Sequence, residues 1–212
     1  MAVLLGAIGV FRLVRADPVD ASDLHQGPNG PELRVLILGN PGDGRVQPVA
    51  DAVDFWNREF RRLGRHTQFS SPVVRADSVP DELLRAASAE APVGFGRATS
   101  ELRGRVSTLP ADIVVALSQA DLISFSVQWS RGESGIVGIR RADILPLSLP
   151  NTVRNVVAHE MGHALGLAHN SDSTTLMCGR PASCRPTAFA SDSARMFPLT
   201  AADERRLQQR WP

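Results

Sequence analysis

Three histidines and one glutamate stand at spacings that would let them share a single metal ion. The stretch reads His159-Glu160-Met161-Gly162-His163-Ala164-Leu165-Gly166-Leu167-Ala168-His169. On a helix, His159 and His163 are four apart and occupy one face. Two imidazoles so placed can both reach a zinc ion at about 2.0–2.1 Å. Glu160 is turned by about 100° from His159, so its carboxylate can lean over the metal without becoming a ligand. Gly166 accepts φ > 0 and suits the residue just past a helix end, where a turn would swing His169 back as a third ligand. Three protein ligands leave the fourth tetrahedral position open, the arrangement of a catalytic rather than a structural zinc site. The chemistry this implies is hydrolysis by a metal-activated water, with Glu160 as general base. Two histidines and a glutamate at helical spacing also recur by chance in unrelated helices. The added glycine and third histidine, each at the required offset, make chance a poor account, and three of the five histidines in the chain fall here.

Elements must position these groups. Val153, Val156, Val157, Met161, Ala164 and Leu165 give the apolar spacing of a helix that starts near Pro150-Asn151-Thr152 and carries the first two histidines. Arg34 to Leu38 predicts a buried strand, and Val46 to Leu63 a helix closed by Gly64. Gln68 to Val74 predicts a strand interrupted by Pro72, hence an edge or a bulge. Residues 16–31 read as a loop or linker, and 76–110 as loop with one short helix near Asp81–Ala89. Strands are expected at Asp112–Leu117, Leu122–Trp129 and Gly135–Leu147. Thr200-Ala201-Ala202-Asp203 resembles a capping box opening a last helix anchored by Leu207 and Trp211. The order strand, helix, strands, helix, loop, helix is α/β (α+β), with a mixed, mainly parallel sheet.

With 212 residues and a net charge of +1, the chain fits one domain, or one domain with a tail, and bulk charge selects no partner. No basic block with interleaved aromatics supports nucleic-acid binding. Met1 to Phe11 is an apolar run too short to span a membrane as a helix. It resembles a signal-peptide core, with Val14-Arg15-Ala16 in the small-residue spacing of a cleavage site, although no positive charge precedes it and Arg12 interrupts the stretch beyond it. Residues 1–31 are therefore expected to be an N-terminal apolar segment and linker, with no stable membrane insertion. Cys178 and Cys184, in C-G-R-P-A-S-C, could close as a disulfide stabilising by roughly 2–3 kcal/mol. Two free thiols or a second metal pair are the alternatives, though no ligand partners for a second metal lie nearby. A disulfide implies an oxidising compartment, so an extracellular or periplasmic location is expected over a cytoplasmic one.

Read together, the long zinc motif, Thr174-Thr175-Leu176-Met177 and the ending Phe197-Pro198-Leu199-Thr200-Ala201-Ala202-Asp203 through Leu207 and Trp211-Pro212 resemble a metzincin, most nearly the matrixin-type catalytic domain. The resemblance is sharp over 150–212 and only architectural over 32–149. It implies a zinc endopeptidase acting on protein or peptide substrates, built on a twisted sheet with two long helices. It further implies an upper subdomain over 32–166 and a lower one over 167–212, with a methionine turn and terminal helix and the cleft between. Met177 would form the floor of the metal site without being a ligand. Substrate would lie extended along an edge strand supplied by segment 122–140. Arginines of the loop from Cys178 to Pro198 are either solvated or favour acidic groups.

There are departures from that family. Asn170 follows the third histidine, where matrixins typically carry Ser and astacins Glu. No cysteine lies upstream of the motif, so no cysteine-switch propeptide is expected. Only His25 and His66 lie outside the motif, too few for a second, structural zinc, and the chain has no Tyr. One zinc ion is expected. Calcium is compatible with the chain but unsupported, since no dense Asp cluster marks a site. A gluzincin would need a downstream Glu ligand, and Glu204 in the terminal helix is the one candidate. A deformylase-like enzyme would need an upstream cysteine ligand. A non-catalytic zinc-binding interaction module of the same fold is the rival from another class, and the intact Glu160 speaks against it. The protein is expected to be a monomer.

Overall fold

The computed structural model describes residues 18–20, 22, 24–27, 30–92, 96–128, 135–145, 147–179 and 194–212. The chain runs β1 (His25–Gly27), β2 (Gly30–Leu33), β3 (Val35–Leu38), α1 (Val46–Arg62), β4 (Gln68–Phe69), β5 (Val73–Arg75), α2 (Asp81–Glu90), α3 (Arg97–Val106), β6 (Ile113–Leu117), β7 (Phe125–Val127), β8 (Gly135–Ile139), α4 (Pro150–Ala164) and α5 (Ala201–Arg210).

The continuous apolar runs of β3, β6 and β8 make sense once both faces of the sheet are covered. Val35 and Ile37 of β3 point into one core, with Ile113, Val115 and Leu117 of β6 and Val137 and Ile139 of β8. Leu36 and Leu38 point into the other, with Val114, Ala116 and Ile136. Helices α1 and α4 cover the first face, and α2 and α3 the second. The five-stranded sheet has the order β5-β3-β6-β8-β7. Its first four strands are parallel, and β7 is antiparallel to β8, with Phe125 opposite Gly138 and Val127 opposite Ile136. This is the mixed, mainly parallel α/β arrangement expected from the sequence. Among the described residues no helix is long and apolar enough to cross a membrane.

Several elements differ from the sequence reading. Residues within 16–31, read as a loop, include β1 and the start of β2, which join β4 in a separate three-stranded sheet. Their short, polar strands carry no alternation of their own, and pairing defines them. The predicted strand over Gln68–Val74 is two strands in different sheets, separated near Pro72, and β5 is indeed an edge. The stretch 76–110 holds a second helix, α3. Its apolar positions are sparse, and its N-terminus is capped from outside: the Glu90 carboxylate of α2 accepts the N–H groups of Ala98 at 3.1 Å and Thr99 at 2.9 Å. Those bonds hold the Glu90 carboxyl below its ordinary value.

Strand β8 stops at Ile139, well short of the predicted Leu147, and a buried arginine binds the carbonyls at its end. Arg45, at the start of α1 and 1% exposed, donates through Nη1 to the carbonyls of Ser118, Ile139 and Arg140 at 2.6, 3.2 and 2.7 Å. Its Nε and Nη2 bind the two oxygens of Asp43 at 2.9 and 2.6 Å. A buried guanidinium thus ties the β3–α1 turn to the ends of β6 and β8, neutralised by a fork-like carboxylate.

Candidate metal centre

Helix α4 is buried along most of its length, and its tail carries His159, Glu160 and His163. The helix ends after Ala164 in a Schellman turn around Gly166, whose φ is 93°. The Gly166 N–H bonds to the His163 carbonyl at 2.8 Å and the Leu167 N–H to the Gly162 carbonyl at 2.9 Å. A side chain at 166 would be strained at that φ, which is why the sequence places glycine there. The turn also presents the Leu167 carbonyl to His163 Nδ1 at 2.9 Å. The same residues that stop the helix therefore orient one imidazole and send the chain back towards His169.

The three imidazoles converge. His163 Nε2 lies 2.9 Å from His169 Nε2 and 3.1 Å from His159 Nε2, and the third side of the triangle is 3.3 Å. A point about 2.0–2.1 Å from all three nitrogens lies roughly 1 Å off their plane, the position of a metal with zinc–imidazole bond lengths. His159 Nδ1 faces the Leu176 carbonyl at 2.7 Å, and His163 Nδ1 faces that of Leu167. A carbonyl only accepts, so each Nδ1 carries the proton and each Nε2 keeps its lone pair. Lone pairs aimed at one point repel each other unless a cation lies between them, so the donor set fits a metal such as zinc. Among the described residues this is the one group of three or more His, Cys, Asp or Glu able to hold a metal. His159 is buried, His163 half-buried and His169 exposed, so the triangle opens to solvent on one side. Glu160, next to His159, is 6% exposed.

The third histidine is held by pairing with the methionine turn. The Asn170 N–H bonds to the Met177 carbonyl at 2.8 Å, and the Gly179 N–H to the Asn170 carbonyl at 3.1 Å. The Asn170 side chain accepts from Asp172 N–H at 3.0 Å and Thr175 Oγ1 at 3.1 Å, and its Nδ2 reaches Asp203 at 3.4 Å. Asp203 in turn accepts from Thr200 N–H and Oγ1 in the capping box of α5. Asn170, the departure noted in the sequence, thus joins ligand loop, methionine turn and terminal helix. Met177 is fully buried. A Cβ on Gly162 would lie 2.5 Å from Met177 Sδ and 3.1 Å from Trp56 Cζ2, so sulfur and indole fill the notch that this glycine leaves in α4. Trp56 Nε1 also donates to the Ala158 carbonyl at 3.1 Å, which pins α4 to α1 just before His159.

Residues 110–208 match the family model of the matrixin peptidases. Over that stretch the chain is similar to the matrixins. Its fold is also similar to that of archaemetzincin from Methanopyrus kandleri, at 17% identity over 84% of this chain and 94% of that one, with a TM-score of 0.49. A second similar structure is a zinc-dependent peptidase from Methanocorpusculum labreanum strain Z, at 14% identity over 82% of this chain and 99% of that one, with a TM-score of 0.41. No curated protein matches the sequence.

Of the residues singled out in the sequence, His159, His163 and His169 converge, with Glu160 next to His159 in α4, Gly166 at the helix end and Met177 against Gly162. Cys178 is buried, and no free cysteine occurs among the described residues. Cys184 and most of the loop before Pro198 lie outside the described residues. Four supporting residues escaped the sequence reading: Trp56, Asn155, Gly162 as a notch, and Gly179. A Cβ on Gly179 would lie 2.1 Å from Cδ2 and 2.5 Å from Nε2 of His169. A glycine two residues after Met177 was the one available signal, and it does not name the ring that it seats.

Proposed function

We propose that the protein is a zinc-dependent endopeptidase that binds one zinc ion through His159, His163 and His169. The observation that carries this is the convergence of three Nε2 atoms, two of them with tautomers set by backbone carbonyls, beside a buried Glu160. Bound there, zinc would lower the pKa of a coordinated water towards about 7 and polarise a peptide carbonyl. In this reading the Glu160 carboxylate takes the proton from the attacking water and later delivers it to the leaving amide nitrogen. Its burial shields it from bulk water. The terminal α5 steadies the end of α4: Arg206 Nε donates to the Gly166 carbonyl at 2.5 Å and Trp211 Nε1 to the Leu165 carbonyl at 3.1 Å.

Strand β7, outermost in its sheet, offers its outer edge to an extended substrate, consistent with the edge expected in 122–140. The division into an upper subdomain over 32–166 and a lower one over 167–212 belongs to this proposal. So do secretion and a Cys178–Cys184 bridge.

The test is Glu160→Gln in the full chain. Zinc stoichiometry should stay at one per chain, while cleavage of casein or a peptide library falls by roughly 10²–10⁴-fold. Full activity in Glu160→Gln, with contaminating protease excluded, refutes the base. A wild-type protein that binds zinc but cleaves no peptide of the library is instead a binding module.

A further inference from the structure

We propose that Asn155 is a positioning residue for the His159 imidazole, acting through residues 195–198 and Leu176. The inference rests on the reading of His159 as a metal ligand.

Asn155 lies four residues before His159, on the same face of α4, and is 2% exposed. Its Oδ1 accepts the Phe197 N–H at 2.9 Å, and its Nδ2 donates to the carbonyls of Arg195 at 2.9 Å and Asn151 at 2.7 Å. These partners fix the amide's orientation, since an N–H requires the oxygen and a carbonyl requires the NH₂. The side chain therefore clamps the chain at both 195 and 197, as a neighbouring strand would. One residue beyond Phe197, the Pro198 carbonyl accepts the Leu176 N–H at 2.8 Å. The Leu176 carbonyl accepts from His159 Nδ1 at 2.7 Å.

These links close a ring. It leaves α4 at 155, crosses the extended segment 197–198 and the methionine turn at 176, and returns to α4 at 159. One turn of rigid helix forms its fixed side, so the Leu176 carbonyl is placed relative to the very helix that bears the histidine. A leucine at 155 would fill similar volume on this buried face but would leave the Phe197 N–H and the Arg195 carbonyl without these bonds. The polar choice is explained by the geometry it imposes. Outer partners of metal-bound histidines act on affinity by orienting the ring, typically by roughly 10–100-fold.

The experiment measures zinc affinity of the full chain by chelator competition, well below the unfolding temperature of each variant. The variants are Asn155→Leu, Asn155→Asp and, as a control, Val106→Ala in the opposite core layer. Asn155→Leu should lose roughly 10–100-fold in affinity. Asn155→Asp keeps the acceptor for Phe197 but turns a carboxylate oxygen towards the carbonyls of Arg195 and Asn151, so it should also lose affinity, and it carries the test if the leucine variant fails to fold. Val106→Ala should bind zinc as the wild type does despite a lower Tm. The cobalt-substituted Asn155 variants should also show a shifted ligand-field spectrum. Zinc affinity within twofold of wild type in the Asn155 variants overturns the proposal, as does an equal loss in Val106→Ala. A wild-type chain that binds no zinc overturns the ligand reading itself, a result separate from a flat response to Asn155.

Discussion

Gly179→Ala isolates the wall behind the third histidine. The backbone at 179 is not in the positive-φ region that holds Gly30, Gly64 and Gly166, so alanine fits the main chain. The added methyl carbon, however, would stand 2.1 Å from His169 Cδ2, 2.4 Å from Cγ and 2.5 Å from Nε2. To reach even a 3.0 Å contact, the ring must move by at least 0.9 Å, the difference between 3.0 and 2.1 Å. Metal–ligand distances tolerate only about 0.2 Å. The imidazole therefore leaves its place in the triangle, and zinc affinity should fall by at least the roughly 10–100-fold typical of outer-shell changes. A 100-fold loss removes about 2.7 kcal/mol of zinc-dependent stabilisation. For a chain of this size that is a drop in Tm of roughly 5–10 °C in saturating zinc. Without metal the exposed His169 ring can swing outward, so the chelated variant should melt close to the chelated wild type. Chelator competition and thermal melts with and without zinc read both quantities. A Gly179→Ala protein with wild-type zinc affinity refutes the role of this wall and the assignment of His169 as a ligand held against it.

Two other parts of the structure make separate predictions. The Asp43 carboxyl is held below its ordinary value of 3.8, chiefly by its hydrogen bonds with Arg45. A lowered folded-state value gives stability that is present above the ordinary value and lost as pH falls through the lowered one. Asp43→Asn should therefore cost about 3 kcal/mol at neutral pH, where it leaves Arg45 buried without its anion. In urea melts that gap should narrow below about pH 4, and a gap that does not change on acidification through that range would contradict the pairing. Gly166→Ala forces an L residue to φ 93°, at a cost of roughly 1–2 kcal/mol. Its Tm should fall by about 2–8 °C, and an unchanged Tm would show that the Schellman turn tolerates a side chain.

The two levels of structure contributed differently. The metal site was legible because its logic is local. His159 and His163 are related by helix periodicity alone, and Gly166 marks the turn by a backbone conformation that other residues avoid. The apolar runs of β3 and β6 were legible for a similar reason, since strands covered on both faces carry an unbroken hydrophobic signature. Helix α3 was not, because the Glu90 carboxylate caps it from another helix. The end of β8 was also hidden, and the arginine that binds the carbonyls there, Arg45, is far away in sequence. The sequence by itself determined which residues have the chemistry to bind a metal and move a proton. Only the tertiary structure decided how they are aimed: the carbonyls of Leu176 and Leu167, the notch at Gly162, the wall at Gly179 and the clamp at Asn155. Such aiming depends on hydrogen bonds and contacts between distant segments, and a carbonyl or a missing Cβ leaves no trace in residue type that says which ring it will face.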